Sequence, residues 1–289
     1  MSSDGRYAPS PTGALHLGNL RTAMIAWLFA RSAGARFLMR IDDLDPQRSR
    51  REWEQRQLGD LNAIGVDWDG PVVRQSERRA RHIEAIERLK ADGCVYRCWC
   101  TRTEIREAAS AAHGPLPEGA YPGTCRRLSA SERFECQMRG RPPALRLDAG
   151  GEQVEFEDRL HGTVSGWVDD FVLQRGDGTP AYNLAVVVDD LDQGIGEVVR
   201  GEDLLDSTAR QVLLSRLLGL PSPGYAHVPL VLGADGARLA KRHGAITLAG
   251  MPAERAREWI ADSLGGISLD PADFDPDALP RMPTTFGGL

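Results

Sequence analysis

Apolar and polar positions along this chain switch between a strand-like and a helix-like period, and the switches predict a β/α order. A short apolar run, Arg6-Tyr7-Ala8, stops at Pro9-Ser10-Pro11-Thr12-Gly13, which is turn chemistry. Beyond His16, Leu20, Ala23, Met24, Trp27 and Leu28 recur at helical spacing. The prediction is strand, tight loop, helix. Residues 36–41 (RFLMRI) read as a buried strand ending in Asp42-Asp43-Leu44-Asp45-Pro46. Asp43 and Asp45 there suit the capping of the next helix. Helices are predicted over 48–64, with Trp53, Leu58 and Leu61 on one face, and over 76–89, whose Arg78, Arg79 and Arg81 read as a solvated face.

The texture changes near Gly93. Residues 143–166 alternate like a small β element, and 170–175 (DFVLQR) read as a strand before a GDGTP turn. An apolar run follows at 182–188 (YNLAVVV). Val198-Val199 reads as a buried strand leading into Arg200, with Ser207 capping the helix beyond. A strand is predicted at 227–232 and a last helix at 252–264. The Pro-, Asp- and Gly-rich tail from Gly265 is predicted to be poorly ordered.

Composition narrows the class. The chain has 289 residues, 42% hydrophobic and 26% charged, with a net charge of -6. That is ordinary for a soluble protein, and the length prior suggests roughly two domains. No apolar run is long enough to span a bilayer, and no basic-then-apolar leader stands at the start, so a cytoplasmic location without membrane partners is expected. The acidic balance argues against broad non-specific nucleic-acid binding but leaves room for a local basic face.

Candidate chemistry sits where strands end. His16 and Gly18 fall at a helix start, where unpaired N–H groups favour an anion and a glycine admits close approach. Asp42 is the first residue past a strand, placed to hold an ammonium group or a metal, or to cap a helix. Arg200 sits at another strand end, where a guanidinium can fork onto a carboxylate. A later glycine-rich loop carries Arg238, Lys241 and Arg242, cations that suit a polyphosphate. Of five cysteines, Cys98 and Cys100 lie two apart on a predicted strand and so share a face, with Cys125 further on. Three thiols are one short of tetrahedral zinc; His113 and Tyr121 are both candidates for the fourth ligand. Cys94 and Cys136 are assigned to packing.

Several of these stretches together resemble one family. Residues 6–19 (RYAPSPTGALHLGN) resemble the HIGH signature of class I aminoacyl-tRNA synthetases in its glutamyl form. MRIDDLDP, YNLAVVVDD and VVRGEDLLDSTARQ resemble that family in the same order, and Arg238-Leu-Ala-Lys241-Arg242 takes the place of its KMSKS motif. The glutamyl enzymes carry a long helical anticodon-binding region after that loop, and here fewer than about fifty residues follow. The short form with a C-x-C…Y-x-x-x-C pattern is similar to the glutamyl-queuosine tRNA(Asp) synthetases.

That resemblance implies an α/β fold: a Rossmann-like parallel nucleotide-binding sheet with an inserted zinc-containing α+β subdomain and no anticodon-binding domain. The implied divisions are 1–93 and 181–250 as catalytic halves, 94–180 as the insert and 251–289 as a C-terminal helix and tail. The implied activity joins L-glutamate to ATP as an adenylate, with Mg²⁺ on the phosphates, and passes it to the queuosine base of tRNA(Asp). His16 and Lys241 take the catalytic roles, with Gly18 and Asn19 also at ATP. Arg6, Ala8, Ser10, Asp42, Tyr182 and Arg200 take glutamate. Cys98, Cys100, Tyr121 and Cys125 hold one structural Zn²⁺, and a monomer is implied. The chain departs from the family pattern in having Asp42 for a Glu, Arg238 and Ala240 in the KMSKS-like loop, and a longer Cys100–Tyr121 spacing.

Overall fold

The computed structural model describes residues 4–110, 120–233, 235–239 and 246–286. Strand β1 (Gly5–Tyr7) leads through the proline-rich turn into helix α1 (Leu17–Ser32), which crosses over to β2 (Phe37–Ile41). β1 and β2 pair in parallel, Arg6 opposite Leu38. Helix α2 (Arg51–Ala63) then returns the chain to β3 (Val73–Arg74), parallel to β2 on its far side. Burial of Leu20, Met24 and Leu28 fixes α1 against the sheet. A 3-10 turn (Gln75–Arg78) precedes α3 (Arg79–Ala91).

Next come β4 (Val95–Cys98), α4 (Arg102–Ser110), α5 (Ala130–Met138) and β5 (Ala144–Leu147), then β6 (Gln153–Asp158), β7 (Gly162–Trp167) and β8 (Val172–Gln174). β4, β5 and β8 form an antiparallel sheet, β5 in the middle. In β6 alternate residues are buried, ending on Asp158.

Helix α6 (Tyr182–Asp192), β9 (Glu197–Gly201), α7 (Leu205–Leu217) and β10 (Gly224–Val228) build the second half. β10 is parallel to both β9 and β6, and β7 closes that edge antiparallel to β6. The two sheets meet at a seam: the Asp4 carbonyl accepts from the N–H groups of Gly196 (2.9 Å) and Glu197 (3.3 Å). That contact joins the amino ends of β1 and β9; at their carboxyl ends Tyr7 and Arg200 line one cleft, which is where an open α/β sheet binds ligands.

The chain finishes with β11 (Val231–Leu232), α8 (Ala253–Ser263) and β12 (Thr284–Thr285), the last pairing in parallel with β11. The described tail, 265–286, is therefore placed rather than poorly ordered. Phe274 packs on Phe29 with ring centroids 5.6 Å apart, and Phe286 on Trp259 at 5.7 Å. Sparse apolar anchors hold a stretch whose average composition reads as loose.

Local expectations also shift. Ser207 lies inside α7, its hydroxyl donating to the Leu204 carbonyl, so it does not cap the helix. Asp43 caps a different element from the one expected, accepting from the N–H and hydroxyl of Ser76 at 2.8 and 2.6 Å. Asp45 accepts from the Gln47 N–H in the turn before α2. Arg78 turns inward onto Asp189 at 2.6 Å instead of joining a solvated face.

Candidate active site

A cleft of about 600 Å³ opens at the seam, lined from β1 and its turn, from the ends of β2 and β9, and from the first turn of α6. Arg6, Ala8, Ser10, His16, Gly18, Asn19, Asp42, Tyr182 and Arg200 all line it. The fold thus brings together residues that lie as far apart in sequence as Arg6 and Arg200. Lys241, Arg242 and His113 lie outside the described residues.

His16 is the N-cap of α1. Its Nδ1 accepts from the Asn19 N–H at 3.3 Å, and the Asn19 side-chain oxygen accepts from the His16 N–H at 3.2 Å. A ring nitrogen that accepts from an amide carries no proton, so in the neutral ring the proton sits on Nε2 as a donor. The ring Nε2–H and the α1 dipole favour an anion here, while the N–H groups of His16, Leu17 and Asn19 are taken up by Asn19, Ile246 and His16. Gly18 explains itself sterically: a Cβ there would stand 3.2 Å from the His16 ring and 3.4 Å from Val231. Gln57 on α2 ties down the preceding turn, donating to the carbonyls of Ser10 (3.0 Å) and Gly13 (2.7 Å).

The amino-acid end of the cleft rests on buried charge. Arg6 donates through Nε and Nη2 to the two oxygens of Asp190, at 3.1 and 3.2 Å. Arg40, fully buried on β2, donates to Asp190 at 2.5 Å and to Asp42 at 2.8 Å. Burial alone would raise the Asp190 carboxyl, but Arg6 and Arg40 outweigh it and hold it at about 2. Asp42 goes the other way: burial pushes its carboxyl up despite Arg40. Arg40 also keeps Nη2 buried without a hydrogen-bond partner.

Arg200 is caged. Its Nε donates to His227 Nε2 (3.0 Å), Nη1 to Gln211 (2.8 Å) and Nη2 to Thr208 (2.8 Å). Burial lowers its basicity. A guanidinium has five N–H donors, so two remain for a ligand in the cleft. Arg238 also lines the cleft, half-exposed, and pairs with Asp203.

A second cluster lies at the end of β4, which stops at Cys98, so Cys100 does not share the strand as expected and reaches the cluster from the turn beyond. The sulfurs of Cys98, Cys100 and Cys125 lie within 4.8 Å of one another and can hold a metal ion. The Tyr121 hydroxyl stands 3.4 Å from Cys98 Sγ and 3.6 Å from Cys100 Sγ, while Cys100 and Cys125 sulfurs are 3.4 Å apart. Tetrahedral zinc with bonds of about 2.3 Å sets sulfurs about 3.8 Å apart, so the donors fit that ion. Hydrogen bonds shared among the cysteines push the Cys98 thiol down and the Cys100 thiol up, as expected of thiols crowded together.

Sequence reasoning missed Asp190, Arg40, His227, Asp158 and Gln57. The signal for three of them was a charged or polar residue inside an apolar run: Arg40 in FLMRI, Asp190 after YNLAVVV, His227 before VPLVL.

The crevice at the sheet seam is thus capped by a histidine and floored with guanidinium groups. A family model described as tRNA synthetases class I (E and Q), catalytic domain, matches residues 4–256. The chain belongs to this family of class I tRNA synthetases, which are ligases. It is 61% identical over 288 residues to a glutamyl-Q tRNA(Asp) synthetase of Nocardia farcinica (strain IFM 10152), covering 96% of this chain and 91% of that one. A glutamyl-Q tRNA(Asp) synthetase of Symbiobacterium thermophilum is 51% identical, with 86% and 81% covered. Among solved structures, a glutamate-tRNA synthetase from Elizabethkingia anophelis superposes with a TM-score of 0.85 at 28% identity, covering 99% of this chain and 68% of that one. Among the described residues, no helix is long and apolar enough to cross a membrane.

Proposed function

We propose that this protein activates L-glutamate with ATP, without requiring tRNA, and passes the glutamyl group to the queuosine base in the anticodon loop of tRNA(Asp). The charge inventory of the cleft carries this reading. Among the described residues, Arg6, Arg40 and Arg200 face Asp42 and Asp190, leaving one positive charge in excess. Zwitterionic glutamate brings one net negative charge. Glutamine leaves a guanidinium facing a neutral amide, a loss of roughly 3–5 kcal/mol in a desolvated pocket.

In the first step an oxygen of glutamate's α-carboxylate attacks the α-phosphorus of ATP, the bond to the bridging oxygen breaks and pyrophosphate leaves. No protein nucleophile takes part. His16 Nε2–H, the backbone near Gly18 and Asn19, and Lys241 stabilise the charge growing on the phosphoryl oxygens. Arg6 and Arg200 hold substrate carboxylates, Asp42 takes the α-ammonium, and Ala8, Ser10 and Tyr182 line the same end. Mg²⁺ entering with ATP would supply further neutralisation of the phosphate charge. In the second step a hydroxyl of the queuosine ring attacks the adenylate carbonyl and AMP leaves.

Zinc would be held by Cys98, Cys100, Tyr121 and Cys125 and would tie the end of β4 to the turn at 124–127. The division into catalytic halves 1–93 and 181–250 around an insert at 94–180 belongs to this reading, with β6 and β7 of the insert completing the second half's sheet.

ATP–pyrophosphate exchange without tRNA tests the first step, with glutamate active and glutamine not. Transfer to tRNA(Asp) with and without queuosine tests the second. Periodate blocking of either the terminal ribose diol or the cyclopentene diol separates the two attachment sites. Transfer that survives loss of the cyclopentene diol would refute the queuosine assignment.

A further inference from the structure

Three adjacent strands carry one line of side chains behind Arg200. In the parallel register His227 of β10 stands opposite Arg200 of β9, and Tyr225 stands opposite Asp158 of β6. His227 Nδ1 lies 2.6 Å from Asp158 Oδ2, and its Nε2 faces Arg200 Nε at 3.0 Å. All three side chains are buried.

Proton positions follow from the donor inventory. Arg200 has only N–H donors, so His227 Nε2 must accept. The ring proton then sits on Nδ1 and donates to Asp158. His227 is held neutral, first by burial and then by the neighbouring Arg200 charge. Burial alone would raise the Asp158 carboxyl, but it stays low because His227 and the N–H groups of Leu160 and His161 donate to it. The Asp158 carboxylate thus fixes the tautomer, and the tautomer fixes the guanidinium plane.

We propose that His227, locked by Asp158, is a positioning residue that aims Arg200 at glutamate and so sets selection for this amino acid. The inference rests on glutamate being the substrate, as argued above. Neither His227 nor Asp158 lines the cleft. They act through Arg200, whose Nη1 and Nη2 are steadied by Gln211 and Thr208. Without the Nε acceptor the guanidinium keeps only its Gln211 and Thr208 anchors, and a buried N–H is left unpaired.

Two amide replacements separate positioning from packing. In His227→Gln the longer side chain places its oxygen near the Nε2 position and still accepts from Arg200. In His227→Asn the amide reaches only as far as Nδ1, leaving Arg200 Nε unpaired. In glutamate-dependent exchange, His227→Asn is expected to raise the glutamate KM roughly 10- to 100-fold. The ATP KM stays near the wild-type value, and discrimination against glutamine weakens. His227→Gln is expected to restore most of the glutamate KM. Equal defects in the two variants, parallel shifts in both KM values, or an unchanged glutamate KM in His227→Asn overturn the proposal. Should His227→Asn fail to fold, Thr208→Val removes the Nη2 acceptor of the same guanidinium: a selective rise in glutamate KM supports the proposal, and none overturns it. Wild-type protein that does not activate glutamate overturns the proposed function itself. Active wild type with indifferent variants overturns the positioning role alone.

Discussion

Arg6 on the first strand and Asp190 on α6 meet side chain to side chain through two hydrogen bonds, at 3.1 and 3.2 Å, across 184 positions of sequence. The pair fastens the two halves of the sheet beneath the cleft, and Arg40 binds the same carboxylate from below. Asp190→Asn leaves two buried guanidinium groups short of a counter-charge. Breaking a buried pair from one side typically costs about 3–5 kcal/mol. Urea unfolding of the variant should register a loss of that order, and glutamate KM should rise because Arg6 is no longer aimed.

His16→Ala should leave a folded protein with little exchange activity. Removal of one charge-stabilising donor typically lowers the rate on the order of 10²–10³-fold. The lost cap costs only about 1 kcal/mol, visible as a small drop in Tm. Gly18→Ala separates the two effects. Its Cβ would press on the imidazole while leaving the Asn19 half of the capping box in place. Exchange should fall while Tm hardly changes; normal exchange in His16→Ala would contradict the assigned role.

The sulfur cluster should bind one zinc per chain, counted by atomic emission on purified protein. Cys100→Ser, or prolonged chelation, should lower Tm by loosening the segment between β4 and α5. Since none of Cys98, Cys100, Tyr121 and Cys125 lines the cleft, glutamate activation should survive at temperatures below the new transition.

Stability should fall as the solution is acidified below about pH 6.5. His227 is depressed from an unfolded value of 6.5, so below that value the unfolded chain takes up a proton the folded chain refuses. The unfolded state then binds more protons and stability declines with pH. Asp190 adds a second, lower window: its contribution is present above 3.8 and is lost between 3.8 and about 2. Asp42, raised in the fold, acts in the opposite sense by gaining its proton sooner when folded. Urea midpoints measured from neutral to mildly acidic pH should decline, and His227→Gln should flatten the upper part of that decline.

The tail offers a plainer test. Phe274 is buried against Phe29, and replacing a buried phenylalanine with alanine typically costs about 3–5 kcal/mol. Phe274→Ala should therefore lower stability by an amount far beyond that of a solvated segment.

The opening order of β1, α1, β2, α2 and α3, the helix-start histidine and the C-x-C pair were legible in the chain, because each depends on residues close in sequence; α4 and α5 were not foreseen. Period, turn chemistry and capping are local, and they placed α1 within a residue or two of its start. The family motifs likewise named nine of the residues that line the cleft. What local reading misjudged was the role of charge inside apolar runs. Arg78 read as solvated and meets Asp189; Arg200 keeps two donors towards the cleft, but its three bonds to His227, Gln211 and Thr208 were not legible.

The sequence by itself determined the β/α alternation, the histidine-capped helix start and the thiol spacing, since hydrophobic period and backbone capping act over a few residues. Only the tertiary structure decided which carboxylate answers each buried guanidinium. Asp190 answers Arg6 and Arg40, and Asp158, through His227, fixes Arg200. Those partners are chosen by which strands and helices lie side by side, and a buried charge must be met by whatever the fold brings within hydrogen-bond reach.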